Sequence, residues 1–153
     1  MSTTETTKMD FFELGDKTSL VCADPATTEV VRGTLRELDY KSHVAENGET
    51  AIERIRYTPY DVLVLHENFA GSSLRSNVVL NYLSALPMAQ RRYTFVCIIG
   101  PSFKTLDAMQ AFAESVHLVL NPSDLPNFGP ILKKGLSDFE SLYRAFKETI
   151  AAL

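Results

Sequence analysis

The sequence predicts an α/β fold with one doubly wound, five-stranded parallel sheet. Five short apolar runs alternate along the chain with five segments in which apolar residues recur at helical spacing. Near-continuous apolar runs are typical of parallel strands, because helices bury both faces of such a sheet. The chain has 153 residues, which suits a single domain.

The first strand is predicted from the apolar run at 19–23, which ends in a turn at Asp24-Pro25. The segment before it is polar, since five of the first seven residues are Ser or Thr. We therefore expect residues 1–16 to form a flexible N-terminal tail and residues 17–153 to form the domain. The large apolar residues in this tail, Met9, Phe11, Phe12 and Leu14, could dock on the domain or on a segment upstream of it.

The other strands and the first four helices follow in strict alternation. Further apolar runs predict strands at 42–46, 61–65, 95–99 and 117–120. Helices are indicated by Val30, Val31, Leu35 and Leu38, then by Ala51, Ile52 and Ile55, then by Val78, Val79, Leu80, Leu83 and Leu86, and last by Leu106, Met109, Phe112, Ala113 and Val116. Right-handed crossovers place these helices on both sides of the sheet.

The composition excludes several classes of protein. The chain is 45% hydrophobic and 22% charged, with a net charge of -4, so it offers no overall attraction to nucleic acid or anionic lipid. No apolar run approaches the roughly 20 residues that span a bilayer, and the N-terminus lacks a secretory signal. Cys22 and Cys97 lie in apolar runs without metal-binding spacing. We expect a cytoplasmic protein without nucleic-acid or membrane partners.

Four phrases of the sequence resemble a known family. LVCADP is similar to the first strand and acidic turn of a response-regulator receiver domain, and YDVLVLHENFAG to its third strand and phosphoacceptor loop. FVCIIGP and HLVLNP are similar to its fourth and fifth strands. The resemblance covers about residues 18–140. It implies a flavodoxin-like, CheY-like fold with sheet order 2-1-3-4-5, in which ligands bind at the carboxyl ends of the strands.

The resemblance also assigns the pocket in which a receiver is phosphorylated. That pocket has an aspartate acceptor, two acidic residues that hold Mg²⁺, a Ser or Thr, and a Lys followed by Pro. The corresponding positions in this chain are Ala23 and Asp24 for the acidic pair, His66 for the acceptor, Gly100 for the hydroxyl, Asn121 for the Lys, and Pro122. Only Asp24 and Pro122 match, so the groups that offset charge on a transferring phosphoryl are lost.

We therefore expect a degenerate receiver, or pseudo-receiver. The resemblance then implies a protein-interaction or regulatory module of bacterial two-component-type signalling, which is not an enzyme, carries no cofactor and is not phosphorylated on Asp. Regulation would act through partner binding or through the loops at 66–74 and 100–105.

Other functions stay open at this point. His66 could accept a phosphoryl group in an atypical response regulator, because imidazole is a competent nucleophile. Asp24, His66 and Glu67 could hold a metal, although adjacent residues at a strand end usually point in opposite directions. The vacated pocket could also take a small ligand.

The final helix is predicted from about Pro126 to the end of the chain. Its apolar residues repeat every seven positions in two adjacent series, Leu132, Phe139, Phe146 and Leu153, and Leu136, Tyr143 and Ile150. A helix of roughly 20 residues spans about 30 Å, whereas strands of this kind span about 17–20 Å. We therefore expect its last turns to project beyond the sheet. The interface candidates, for an unidentified protein partner or a homodimer, are Leu132, Phe139, Tyr143, Phe146 and Ile150.

Overall fold

The structure, a computed structural model, describes residues 11–153. It contains a five-stranded parallel sheet in the order β2-β1-β3-β4-β5, which confirms the predicted order. The strands are β1 Lys17–Cys22, β2 Tyr40–Val44, β3 Val62–His66, β4 Phe95–Ile99 and β5 Leu118–Leu120. β2 begins two residues earlier than predicted, directly after Asp39, whose φ of 69° reverses the chain.

Six helices connect or follow these strands. They are α1 Pro25–Glu37, α2 Gly48–Tyr57, α3 Val78–Ala85, α4 Met88–Arg91, α5 Ala108–Glu114 and α6 Phe128–Ala152. Four of them begin with a side chain that accepts a hydrogen bond from a backbone N–H of the first turn, namely Asp24, Asn47, Asn77 and Asp107. The single turn α4 after Pro87 was not predicted from the sequence. Two 3-10 helices, Phe69–Gly71 and Pro122–Asn127, complete the chain order.

The sheet separates two apolar cores, one on each face. Adjacent residues of a strand point to opposite faces, so Leu63 lies in one core and Val64 in the other. Cys22 and Cys97 are free thiols that are fully buried in these cores, and burial raises the pKa of both. Both cysteines therefore pack as small hydrophobic residues, in keeping with the apolar runs of sequence in which they lie.

Within the segment predicted as a flexible tail, residues 1–16, the described part contacts the domain. The Phe12 ring stacks on His43 with 3.9 Å between centroids and lies edge-on to Tyr60. Lys41 donates to the Phe11 carbonyl oxygen and forms an ion pair with Asp16. The prediction for residues 1–10 lies outside the described residues.

Helix α5 differs from the sequence prediction in its buried face. Met109 is 74% exposed and Phe112 is 81% exposed, whereas Ala111 is buried. Leu106 and Val116 lie outside the helix, and Leu106 has a φ of 68°. The small Ala111 side chain is the one that faces the core, so the spacing of larger residues predicted the helix but not its orientation.

Helix α6 is 25 residues long and is buried only over its first turns. Leu132 is fully buried, Phe139 packs against Phe95 at 5.5 Å between ring centroids, and Tyr143 packs edge-on against Tyr93. Leu132 therefore belongs to the core, and its prediction as an interface residue was wrong.

The last turns of α6 carry exposed apolar side chains, as the length argument predicted. Phe146 is 36% exposed, Ile150 is 52% exposed and Leu153 is almost entirely exposed. No helix within residues 11–153 combines the length and apolarity needed to cross a membrane.

Candidate functional site

The predicted pocket residues lie along the carboxyl edge of the sheet. Ala23 follows β1, His66 ends β3, Gly100 follows β4 and Asn121 follows β5. Because all strand pairs are parallel and in register, these four positions are brought together at neighbouring strand ends. The sequence prediction of one common site is therefore consistent with the geometry.

His66 is half-buried and engaged by its own loop. Its Nδ1 accepts a hydrogen bond of 3.0 Å from the backbone N–H of Asn68. An accepting Nδ1 places the proton of the neutral imidazole on Nε2. The ring therefore presents an N–H donor, and its other nitrogen is already used within the chain.

Asp24 serves as the N-cap of α1 and is exposed to solvent. Its Oδ2 accepts from the backbone N–H of Thr27 at 3.1 Å. Partial burial disfavours the charged form of this carboxyl, but the hydrogen bonds from Thr27 favour it, and the Asp24 pKa is lowered on balance. The carboxylate that matches the receiver pattern thus has a structural role in this chain.

Glu67 occupies the centre of the edge, which the sequence did not predict. Its side chain is 4% exposed. Oε1 accepts from the backbone N–H of Ser102 at 2.8 Å, and Oε2 accepts from the Ser102 hydroxyl at 2.7 Å. Two donors from one residue hold the buried carboxylate, so its burial does not leave it unsatisfied.

Gly100 makes room for that carboxylate. A Cβ atom at this position would lie 1.9 Å from Glu67 Oε1 and 2.4 Å from its Cδ. No side chain can be accommodated there while Glu67 keeps its position. The glycine at the Ser/Thr position of the receiver pattern is therefore matched to the glutamate that follows His66.

Asn77 fixes the loop that leaves β3, and it too was missed at the sequence level. It is 1% exposed, and its Nδ2 donates to the carbonyl oxygens of His66 and Glu67, both at 3.1 Å. Its Oδ1 accepts from the first-turn N–H groups of α3. An Asn directly before an apolar helical run is the sequence signature of an N-cap, which was the available signal.

The Asn121 side chain is engaged by two neighbouring loops. Its Nδ2 donates to the Phe103 carbonyl oxygen at 2.9 Å, and its Oδ1 accepts from the Ser123 N–H at 3.0 Å. Its own N–H donates to the Thr105 hydroxyl, and Pro122 begins the 3-10 helix that follows. The amide at the Lys position therefore braces two loops.

The weak metal candidates do not converge. Glu67 is bound to Ser102, Asp24 caps α1, and His66 uses Nδ1 within its loop. Across residues 11–153, no group of three or more His, Cys, Asp or Glu side chains is placed to hold a metal ion.

Comparisons with known proteins give matches in structure alone. No protein-family model and no curated protein matches this chain. The chain is similar to a CheY-like receiver domain from Methylobacillus flagellatus, with 21% identity, a TM-score of 0.57 and coverage of 78% of this chain and 98% of that chain.

Two further structures give the same result. A chemotaxis response regulator of Vibrio cholerae matches at 17% identity and a TM-score of 0.56, covering 78% of this chain and 98% of that chain. A CheY-like receiver domain protein from Methanospirillum hungatei JF-1 matches at 11% identity and a TM-score of 0.61, covering 82% and 97%. With its strand order and long last helix, the chain has the receiver-domain fold of two-component response regulators.

Proposed function

We propose that the chain is a degenerate receiver, a non-enzymatic module that acts in bacterial two-component-type signalling by binding other proteins. One observation carries the proposal. The Glu67 carboxylate is bound to Ser102 and lies against Gly100. In the receiver pattern, the position of Gly100 offers a hydroxyl to the phosphoryl group, whereas here the adjacent space holds a carboxylate.

The remaining groups at this edge also oppose phosphoryl transfer. Negative charge on the phosphoryl oxygens requires cations and hydrogen-bond donors that point at it. Both Glu67 carboxyl oxygens accept hydrogen bonds from Ser102, and the Asn121 amide donates to a backbone carbonyl. The site therefore offers neither the acceptor aspartate nor the positive charge of the receiver pattern.

Acetyl phosphate with Mg²⁺ is expected to leave the intact mass of the protein unchanged. A receiver domain with an intact aspartate acceptor, treated in parallel, should gain the mass of one phosphoryl group. A stable phosphoryl adduct on this chain would contradict the proposal. If the His66→Gln variant then lost the adduct, the alternative of an atypical response regulator would replace it.

The same contact suggests how regulation works in this module. The two hydrogen bonds from Ser102 to Glu67 join the loop at 66–74 to the loop at 100–105. A partner that displaces one loop would therefore act on the other. We propose that partner binding, in place of phosphorylation, sets the arrangement of these loops.

We propose the apolar stripe of α6 as the contact surface for such a partner, including a second copy of this chain. The stripe comprises Phe139, Tyr143, Phe146 and Ile150, of which the first two are partly buried against the domain. Its outer part is supported by the exposure of Phe146 and Ile150. Apolar side chains repeated along one helix face are typical of helix-to-helix contacts.

Introducing a charge into this stripe is expected to weaken self-association. Ile150→Asp should lower the mass measured by light scattering from dimer to monomer, because an aspartate cannot be buried unpaired between two helices. Thr149→Asp is the matched control, since it adds the same charge one position away. A chain that ends at Leu142 should be a monomer by light scattering. If the unaltered chain is also a monomer at all concentrations, the homodimer is ruled out.

We also propose that this module acts in the cytoplasm, because its two cysteines lie in apolar runs without disulfide or metal-binding spacing and a reducing compartment is the usual setting for such thiols.

A further inference from the structure

A second cavity lies at the opposite end of the sheet from the predicted pocket. It has a volume of about 600 Å³ and is formed by the end of α2, the segment before β3, α3, α4 and the beginnings of β4 and β5. Sites for small molecules commonly have volumes of about 300–1,000 Å³. This space is therefore large enough for a ligand with one or two rings.

The inner wall of the cavity is apolar and its outer wall is aromatic. Leu63, Leu83 and Val96, which belong to the core, form part of the lining. Tyr57 is 74% exposed and Tyr93 is 49% exposed, and both also line the cavity. Exposed tyrosines beside an apolar wall provide flat surfaces against which a ring can pack.

The charge of the lining is positive in a chain whose net charge is -4. Arg56, Arg91 and Arg92 line the cavity, and Asp61 is the acidic residue among the lining residues. Asp61 Oδ2 accepts from the backbone N–H of Thr18 at 2.9 Å. None of the ion pairs found within residues 11–153 involves the three arginines.

Arg91 and Arg92 are each positioned by a contact with a neutral group, which leaves the positive charge uncompensated. Arg91 Nη2 donates to the Ser115 carbonyl oxygen at 2.6 Å, which fixes one wall of the cavity. The Arg92 guanidinium lies 4.4 Å from the centroid of the Phe146 ring. Arg56 lies near the end of α2 and lines the cavity together with Tyr57 and Tyr82. A guanidinium held by a neutral group retains donors for a carboxylate or phosphate.

We propose that this cavity binds a small aromatic anion, a flat ring that carries a phosphate or a carboxylate. The ring packs on the apolar wall and the tyrosines, and the anionic group is bound by Arg56 and Arg92. The proposal concerns a site at the amino ends of the strands and does not depend on the state of the pocket around His66.

Calorimetric titration with four probes tests the proposal and shows whether the anionic group of the ligand is a phosphate or a carboxylate. AMP represents the aromatic phosphates and 4-hydroxybenzoate the aromatic carboxylates, while adenosine and inorganic phosphate each supply half of the chemistry. We expect saturable binding of AMP, of 4-hydroxybenzoate or of both. The one that binds more tightly shows whether the cavity prefers a phosphate or a carboxylate. The affinity for adenosine and for inorganic phosphate should each be at least about tenfold lower than for the aromatic anion, because each probe lacks one set of contacts.

Variants locate the binding in the cavity. Arg56→Gln and Arg92→Gln should each weaken binding by about tenfold or more, because each removes charged hydrogen bonds to the ligand. Arg144→Gln, which removes the same charge from a residue outside the lining, should bind like the unaltered protein. Thermal unfolding of each variant without ligand confirms that it is folded.

Three results would overturn the proposal. The first is no binding of AMP or 4-hydroxybenzoate at millimolar concentration. The second is inorganic phosphate that binds as tightly as AMP and 4-hydroxybenzoate, which would remove the role of the ring. The third is unchanged affinity in the folded Arg56→Gln and Arg92→Gln variants.

Discussion

Replacing Gly100 with alanine is expected to lower the free energy of unfolding by about 2–3 kcal/mol. The new Cβ atom would lie 1.9 Å from Glu67 Oε1, so the glutamate must leave its position. It then loses the two hydrogen bonds from Ser102 that hold it in its buried position. Urea unfolding, followed by far-UV circular dichroism, measures the change.

The double variant Glu67→Ala with Gly100→Ala separates this cause from a general effect of alanine. Removing the long side chain opens the space that the Cβ needs, so the cost of Gly100→Ala should largely disappear in that background. Gly33→Ala is the matched control, because nothing lies within 4 Å of a Cβ built on Gly33 in α1. It should be neutral or stabilising by up to about 1 kcal/mol. Equal losses in both backgrounds would refute the close-contact explanation.

Replacing Leu132 with alanine is expected to cost about 3–5 kcal/mol of unfolding free energy. Leu132 is fully buried between α6 and the sheet, in the core that also contains Phe95 and Phe128. The substitution removes apolar contacts and leaves a cavity that rigid neighbours fill only in part.

Leu142→Ala in the same helix is the matched control for this substitution. Leu142 is 72% exposed, so its replacement should change the unfolding free energy by no more than about 0.5 kcal/mol. The difference in unfolding free energy between the Leu132→Ala and Leu142→Ala variants shows that α6 packs on the domain at Leu132 and no longer does so at Leu142. Comparable losses at both positions would mean that the later turns of α6 are also buried, in another copy or partner.

The fold was predictable because its signals are local. Apolar runs such as 95–99 coincide with β4 residue for residue, and Ala51, Ile52 and Ile55, which indicated the second helix, lie within α2. The order of the strands came from the family resemblance, and the structure confirms it. The errors lie where packing overrides spacing, as at Phe112, whose helical periodicity indicated burial although the side chain is exposed.

The candidate site was predictable in position but not in contacts. Parallel topology places the strand ends at one edge, so His66 and Gly100 could be expected to be neighbours. The link between Glu67 and Ser102 joins residues that are 35 positions apart, and no periodicity encodes such a pair. Glu67 was considered at the sequence level as a weak metal candidate, whereas its carboxylate is used by Ser102 within the protein.

The length of α6 has a consequence for any assembly built on it. From Leu136, the last fully packed residue, to Ala152 the helix extends by about 24 Å at 1.5 Å per residue. Each residue also turns the helix by about 100°. One residue inserted between these points would rotate Phe146 and Ile150 to another side of the domain. The number of helix residues between Leu136 and Phe146 therefore sets the distance from the domain, and the direction around the helix axis, at which a neighbour could contact these side chains.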